Sequence, residues 1–170
     1  MELELRPRTQ QEVRIYFACT RDPEIQARIP QRSQTVEQAL EDYRRSLAPG
    51  ADSYGRTVWA DGVYVGDVWC YCIHAEPDPD AMVSYCIFEK DRWGQGVASR
   101  ALEQFLADAG PRFGLKRVGA FVYADNPASV RVLEKNGFAI HETFEEEGRR
   151  SFYLVREIEE TGRLDKWNTE

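Results

Sequence analysis

The first six residues, MELELR, alternate apolar with charged positions, the period-2 pattern of a half-buried strand. The period then changes. Thr9-x-x-Glu12 has the form of a capping box, and Val13, Tyr16 and Phe17 set a helical stripe behind it that runs to about Thr20. Asp22-Pro23 interrupts that helix, and a polar bend containing Pro30 spans Arg28 to Gln34. Thr35-x-x-Gln38 caps a second helix, with Ala39, Leu40, Tyr43 and Leu47 on its apolar face and Pro49-Gly50 as its stop. Three strand-like runs follow: Gly55 to Ala60, Val63 to Ile73 and Ala81 to Phe88. Asp61-Gly62 is a hairpin turn signal, and the acidic loop Glu76-Pro77-Asp78-Pro79-Asp80 separates the second run from the third. The short links predict an antiparallel meander.

The helical period returns after Phe88, with Val97, Ala98, Ala101, Leu102, Phe105, Leu106 and Ala109 on one face and Gly110-Pro111 and Gly114 at the end. Lys116 to Ala124 reads as a strand. Pro127 opens another helix that carries Ser129, Val130, Leu133 and Glu134 and stops at Asn136-Gly137. Phe138 to Phe144 and Ser151 to Ile158 read as the last strands, joined by the polar run Glu145 to Arg150, with a tail from about Glu159. A helix between two strands of one sheet needs a crossover, and so one parallel pairing. The predicted architecture is α/β (α+β): one domain over residues 1–170, a mixed but mostly antiparallel sheet of about seven strands, and helices on both faces.

Charge narrows the partners. The 170 residues hold 22 Lys and Arg against 29 Asp and Glu, which argues against nucleic-acid binding and is compatible with a cationic acceptor. No apolar run approaches the roughly 18 residues of a membrane span, and MELELRPRTQ has no apolar signal-peptide core, so no membrane association and a cytoplasmic location are expected. Cys19, Cys70, Cys72 and Cys86 lie in or beside apolar stretches and read as reduced core thiols, Cys70 and Cys72 sharing one strand face. With His74 and His141 far apart, no metal site is expected.

Two stretches carry chemistry. In Asp91-Arg92-Trp93-Gly94-Gln95-Gly96-Val97-Ala98-Ser99-Arg100, two glycines sit where a strand gives way to a helix. Gly94 and Gly96 let backbone N–H groups converge with no Cβ in the way, and the helix adds unpaired N–H groups and the positive end of its dipole. That is a phosphate cradle. The second stretch, Asn126-Pro127-Ala128-Ser129 through Lys135-Asn136-Gly137-Phe138, starts at the C-terminal end of a strand, where sheets with crossovers take ligands. Asn126 both donates and accepts, and Ser129 follows one helical turn later.

Together these stretches resemble the GNAT superfamily of acyl-CoA-dependent N-acyltransferases. The family's pyrophosphate loop reads Gln/Arg-x-x-Gly-x-Gly/Ala; Trp93-Gly94-Gln95-Gly96-Val97-Ala98 matches its last four positions and departs at the first, Trp93. The Trp-Gly-x-Gly-x-Ala form, with Asn126-x-x-Ser129-x-x-x-Leu133-Glu134-Lys135-x-Gly137-Phe138 after it, is similar to the branch of the Rim-type (RimJ/RimL-like) ribosomal-protein N-terminal acetyltransferases. The likeness spans about Met82 to Ile158; the first half agrees in element order.

The resemblance implies acetyl-CoA as acyl donor and no metal, with strands splayed apart at the acyl-CoA site between Tyr85 and the strand from Lys116. Backbone groups at Ile87 and Phe88 are expected to guide the pantetheine arm as an added strand would. Gly94, Gln95, Gly96, Val97, Ala98 and Ser99, with Trp93 beside them, are expected at the pyrophosphate, Ser99 adding its hydroxyl. Arg92, Arg131 or Lys135 is expected at the 3′-phosphate. Asn126 is expected on the pantetheine arm and Ser129 near its sulfur.

The expected chemistry is direct attack of a neutral amine on the thioester, with the oxyanion held by a backbone N–H. Many members protonate the leaving thiolate with a Tyr seven residues after the Asn; here that position is Leu133. Ser129 is the expected hydrogen-bond donor in its place. Tyr85, Glu142 and a water chain remain open as the base, and Cys86 has no His beside it to make it a nucleophile. The acceptor is expected on the opposite side of the gap, near Arg28 to Gln34, Tyr71, His74 and Tyr153, with Asp22, Glu24 and Glu76 to Asp80 suited to a cation. A protein N-terminal α-amine, a small amine (polyamine, amino acid or antibiotic), and a non-catalytic acyl-CoA-binding role stand as alternatives, in a monomer or homodimer.

Overall fold

The computed structural model describes residues 1–30 and 33–158, so the expected tail from Glu159 and part of the 28–34 bend lie outside the described residues. The chain runs β1 (Leu3–Pro7), α1 (Gln10–Cys19), α2 (Pro23–Gln26), α3 (Val36–Ser46), β2 (Tyr54–Ala60), β3 (Val63–His74), β4 (Asp80–Ile87), α4 (Val97–Phe113), β5 (Arg117–Tyr123), α5 (Pro127–Lys135), β6 (Ala139–Glu146) and β7 (Arg149–Glu157). The strands form one seven-stranded sheet in the order β1-β2-β3-β4-β5-β7-β6. Every neighbouring pair is antiparallel except β4 and β5, as the crossover through α4 requires.

That parallel pair is short. Asp80, Ala81 and Met82 pair with Arg117, Val118 and Gly119, and no pairing continues beyond them, so the strands part from Val83 and Ala120 onward. α4 packs across one face, where its Leu102 and Phe105 are fully buried among Val58, Val65, Val68, Val83, Val118 and Leu154. Burying one such large side chain contributes about 1.5–3 kcal/mol, so this helix anchors the core. α1 lies against the opposite face at β3 and the end of β4, with the Tyr16 ring edge-on to Trp69 and Phe88.

Close backbone approaches fix β3 against β4. A Cβ on Gly66 would lie 2.3 Å from the Cys86 carbonyl oxygen. On the same strand, Asp67 is buried; Arg8 Nε lies 3.2 Å from its Oδ2 and the Tyr64 hydroxyl donates to its Oδ1 at 2.5 Å. Burial pushes the Asp67 carboxyl up, opposed by the Arg8 charge and the Tyr64 bond.

The structure differs from the sequence reading in four places. Asp22-Pro23 does not simply break a helix: the Asp22 side chain accepts from Glu24 N and starts the one-turn α2. Thr9 does not cap α1 with its side chain; its hydroxyl bonds the Glu12 carboxylate instead. β6 and β7 run on through the charged stretch read as a loop, because Glu147 (φ 53) and Gly148 (φ 75) make a tight turn and Glu145 and Glu146 face Arg150 and Arg149 across it. Cys72 is not a core thiol. The β3–β4 register shifts between Tyr71 and His74, and Cys72, at φ 51, is exposed while Cys70 is buried.

Candidate active site

The first part of the site begins where β4 ends. A single turn over Lys90–Arg92 leads to Trp93, whose indole N–H donates to the Ile87 carbonyl at 2.7 Å and ties the loop back to the strand. Gly94 and Gly96 have φ of 76° and 80°, a region open mainly to glycine, and the Cβ position on each faces space with no atom within 4 Å. Gly96 is the N-cap of α4. No side chain caps that helix, its first turn holds no acidic residue, and the Arg100 N–H to Gly96 carbonyl bond is its first internal one. The N–H groups of Val97, Ala98 and Ser99 are therefore left for an outside acceptor. A Cβ-free concavity at the positive end of a 17-residue helix fits a diphosphate.

The side chains around this concavity sort themselves. The Asn136 amide donates to Ser99 Oγ at 3.3 Å, to the Ser99 carbonyl at 3.2 Å and to the Val132 carbonyl at 3.0 Å. With its oxygen accepting, the Ser99 hydroxyl keeps its own hydrogen for a ligand. The Gln95 amide donates back to the Asp91 carbonyl at 2.7 Å, so this residue offers its main chain. Arg92 pairs with Asp61 of the β2–β3 turn at 3.2 Å. Arg131 and Lys135 are exposed on α5 and make no ion pair among the described residues.

The second part is the gap between β4 and β5. Phe88 N–H donates to the Val65 carbonyl at 3.0 Å and Ile87 C=O accepts from Trp93, so neither of these groups is free to guide a pantetheine arm. In an antiparallel ladder backbone groups alternate sides, which turns those of Val83, Tyr85 and Ile87 away from β3 and toward the gap. The gap-facing backbone groups therefore include Ile87 N–H, as the sequence suggests, and extend back to Tyr85 and Val83.

The third part is the start of α5. Asn126 caps it, Oδ1 accepting from Ser129 N–H at 3.3 Å, with Pro127 at the first helical position. The NH2 of Asn126 makes no bond among the described residues and is the part of this side chain a ligand can use. Ser129 Oγ lies 2.7 Å from the Tyr85 hydroxyl, which is also 3.2 Å from the Ser129 carbonyl oxygen. Burial pushes the Tyr85 phenol up to about 12, partly offset by the bond to Ser129, so Tyr85 stays protonated at neutral pH and is a donor rather than a base. Leu133 is in the core, 1% exposed, so the position seven residues after Asn126 offers no hydroxyl, and those at the start of α5 are Ser129's and Tyr85's.

Of the remaining candidates, Glu142 is exposed on edge strand β6. The Cys86 thiol is buried against α1 and pushed up to about 12 by that burial, which removes it as a nucleophile at neutral pH. Asp22 and Glu24 both meet Lys90 Nζ at 2.8 Å, Asp78 meets Arg117 at 2.6 Å, and Asp80 meets His74 at 2.9 Å. Asp22, Glu24 and Asp78 are thus matched by Lys90 and Arg117 of the chain itself. Asn136 and the Tyr85–Ser129 contact are what sequence reasoning missed; both join residues far apart in the chain.

A glycine-capped open helix end at the tip of a strand, beside a gap where that strand leaves its parallel neighbour, can take a diphosphate with a long arm lying in the gap. The family model described as the acetyltransferase (GNAT) domain matches residues 2–139, and the chain belongs to that family. It is an acetyl-CoA-dependent N-acetyltransferase acting on amines. Two relatives from Bacillus subtilis (strain 168), the uncharacterized N-acetyltransferases YdgE and YoaA, are each 28% identical to it. YdgE aligns over 63% of this chain and 70% of its own length, YoaA over 79% and 77%. Among solved structures, a Vibrio cholerae spermidine N-acetyltransferase with CoA and spermine superposes with TM-score 0.79 at 17% identity, over 90% of this chain and 94% of that one. The ribosomal L7/L12 α-N-protein acetyltransferase RimL with coenzyme A gives TM-score 0.76 at 19% identity, over 92% and 94%. The aminoglycoside acetyltransferase AAC(6′)-Ib with coenzyme A gives 0.76 at 16%, over 92% and 95%. No helix among the described residues is long and apolar enough to cross a membrane.

Proposed function

We propose that the chain moves the acetyl group of acetyl-CoA onto a protein N-terminal α-amine. Bound acetyl-CoA supplies an activated thioester and a thiolate leaving group. The α4 N–H groups of Val97, Ala98 and Ser99, the turn at Gly94 to Gly96 and the Ser99 hydroxyl hold the diphosphate; Arg131 or Lys135 meets the 3′-phosphate. Backbone groups of Tyr85 and Ile87 and the Asn126 NH2 orient the pantetheine arm in the gap. A β4 N–H facing the gap stabilises the oxyanion, and the Ser129 hydroxyl donates to the departing sulfur. Nitrogen bonds the acetyl carbon, the carbon–sulfur bond breaks with its electron pair on sulfur, and the amine proton reaches sulfur through water. Water is the base in this reading: Tyr85 bonds Ser129, and Glu142 is exposed on edge strand β6.

The observation that carries the acceptor reading is the openness of the face away from α4. The cleft there, lined by Cys72, His74, Met82, Arg117, Gly119 and Tyr153, holds about 120 Å³. That is well short of the roughly 300–1,000 Å³ of an enclosed small-molecule pocket. It opens onto the uncovered aromatic face of β5, β7 and β6, where Phe121 is 57% exposed beside Tyr153 and Phe144. An extended peptide can lie on such a face. Three of the acids suited to a polycation, Asp22, Glu24 and Asp78, are already paired with Lys90 and Arg117, which weighs against a polyamine. A small amine stays the second reading, because the spermidine and aminoglycoside enzymes superpose as well as RimL does. A thiol-release screen of N-terminal peptides against polyamines and aminoglycosides tests it: turnover of peptides alone is expected, and turnover of small amines alone overturns it. A cytoplasmic location is part of the same reading.

A further inference from the structure

We infer that Tyr85 is a positioning residue whose phenol donates to Ser129 Oγ and so turns the Ser129 hydrogen toward the sulfur of the leaving thiolate. This rests on the reading of Ser129 given above. Tyr85 projects from β4 three residues past the last β4–β5 pair, at Met82, and its ring lies on the face shared with Val83 and α4. Its hydroxyl crosses to α5 and meets two oxygens of a single residue, Ser129 Oγ at 2.7 Å and Ser129 O at 3.2 Å. Those are its only hydrogen-bond partners among the described residues.

Two hydroxyls joined by one short contact hold two hydrogens and admit two arrangements. In one, the phenol donates to the Ser129 carbonyl and accepts from Oγ, so the serine hydrogen points away from any ligand. In the other, the phenol donates to Oγ, and the serine hydrogen is free to face an acceptor outside the pair. An anionic sulfur beside Ser129 favours the second arrangement, since it attracts the serine hydrogen and makes Oγ a better acceptor for the phenol. The raised phenol keeps its proton throughout, so no covalent proton transfer from Tyr85 is involved and the pair acts by hydrogen bonding alone. A serine without this partner has nothing to fix its rotor, and it competes for nearby backbone carbonyls at the start of a helix.

The test reads the thiol of bound coenzyme A, without turnover, from thiolate ultraviolet absorbance against pH. It uses wild type, Tyr85→Phe, Ser129→Ala and the double variant, with coenzyme A affinity measured in each. Wild type is expected to hold the bound thiol below its free pKa. Each single variant should raise it, the double variant should raise it no further than Ser129→Ala alone, and coenzyme A affinity at neutral pH should stay within about twofold. Turnover should drop about tenfold in Tyr85→Phe, the kinetic equivalent of one ordinary hydrogen bond, with KM for acetyl-CoA unchanged. Incorporation of meta-fluorotyrosine, a stronger phenol donor that keeps the fold, should lower the bound thiol pKa, and only while Ser129 is present. A Tyr85→Phe protein with the wild-type thiol pKa, or one that shifts it equally in the Ser129→Ala background, overturns the positioning role while leaving Ser129 in place. A Ser129→Ala protein with the wild-type thiol pKa overturns the reading beneath it.

Discussion

The molecule uses the same device twice, a helix starting at the C-terminal end of a strand, and finishes it in opposite ways. α4 begins at Gly96 with no side-chain cap and no acid in its first turn, so its N–H groups face outward. α5 begins at Asn126, whose side chain closes its own N-terminus onto Ser129 N–H, and what it presents outward is side chains. The difference matches charge to purpose. An open helix end suits a ligand that brings permanent negative charge, because backbone donors and the dipole act together there. A closed end suits a transient charge at one atom, which needs one oriented hydroxyl rather than a broad positive field.

The largest expected effect comes from closing the open end. Gly94→Ala/Gly96→Ala forces two alanines into left-handed backbone at roughly 1–2 kcal/mol each and projects methyl groups into the concavity. Acetyl-CoA affinity by calorimetry should fall at least about 100-fold. Changing the closed end should act on rate instead. Ser129→Ala should lower kcat by about 10- to 100-fold with KM for acetyl-CoA nearly constant in steady-state assays, the size expected for one donor to a developing charge. If KM moved and kcat did not, α5 would be a second binding end and the contrast would fail.

Asn126 separates capping from ligand contact. Asn126→Ala should cost about 1 kcal/mol of stability by denaturant titration, the usual cost of losing a cap. Asn126→Asp keeps the Oδ1 acceptor and adds a charge that the dipole favours, so stability should hold while KM for acetyl-CoA rises about fivefold through loss of the NH2 donor. The smallest effect is alkaline. Folding raises the Tyr85 phenol from 10 to about 12, so its stabilising contribution is full below pH 10 and is lost as pH rises through about 12. Tyr85→Phe should flatten part of the stability loss across that window, measured by denaturation at successive pH values. The wild-type slope in the variant would place the titration elsewhere, for instance at Cys70 or Cys86, each also raised to about 12 by burial.

The open end was legible in the sequence because its device is local. Positive φ at two positions a residue apart demands glycine, and the strand before and the helix after announce themselves by period. The cap at Asn126-Pro127 was legible as a helix start for the same reason. What Asn126 does with its oxygen, and what Ser129 touches, were not. The Tyr85–Ser129 contact spans 44 residues and the Asn136–Ser99 contact 37, and side-chain pairs of that kind are set by how elements pack, which no local pattern encodes. Of the Ile87 and Phe88 groups expected along β4, Phe88 N–H is taken up by Val65, because strand pairing decides which backbone groups are free and the β3–β4 register is a property of the sheet. The β6–β7 hairpin was shortened for a similar reason: Glu145, Glu146, Arg149 and Arg150 read as a loop until they face one another across a turn. Elsewhere the packing rests on contacts equally silent in sequence. Arg8 fills the space above Gly55, 2.4 Å from where a Cβ would stand, and reaches buried Asp67.

The central claim is that the open end of α4 grips the diphosphate of the acyl donor. Calorimetric titration of the wild-type chain with acetyl-CoA and with S-acetylpantetheine, which has the thioester arm but no diphosphate, tests it most directly. Several charge-assisted bonds from backbone N–H groups predict that acetyl-CoA binds at least about 100-fold more tightly. Equal affinity for the two would mean that the helix end holds nothing and would contradict the account.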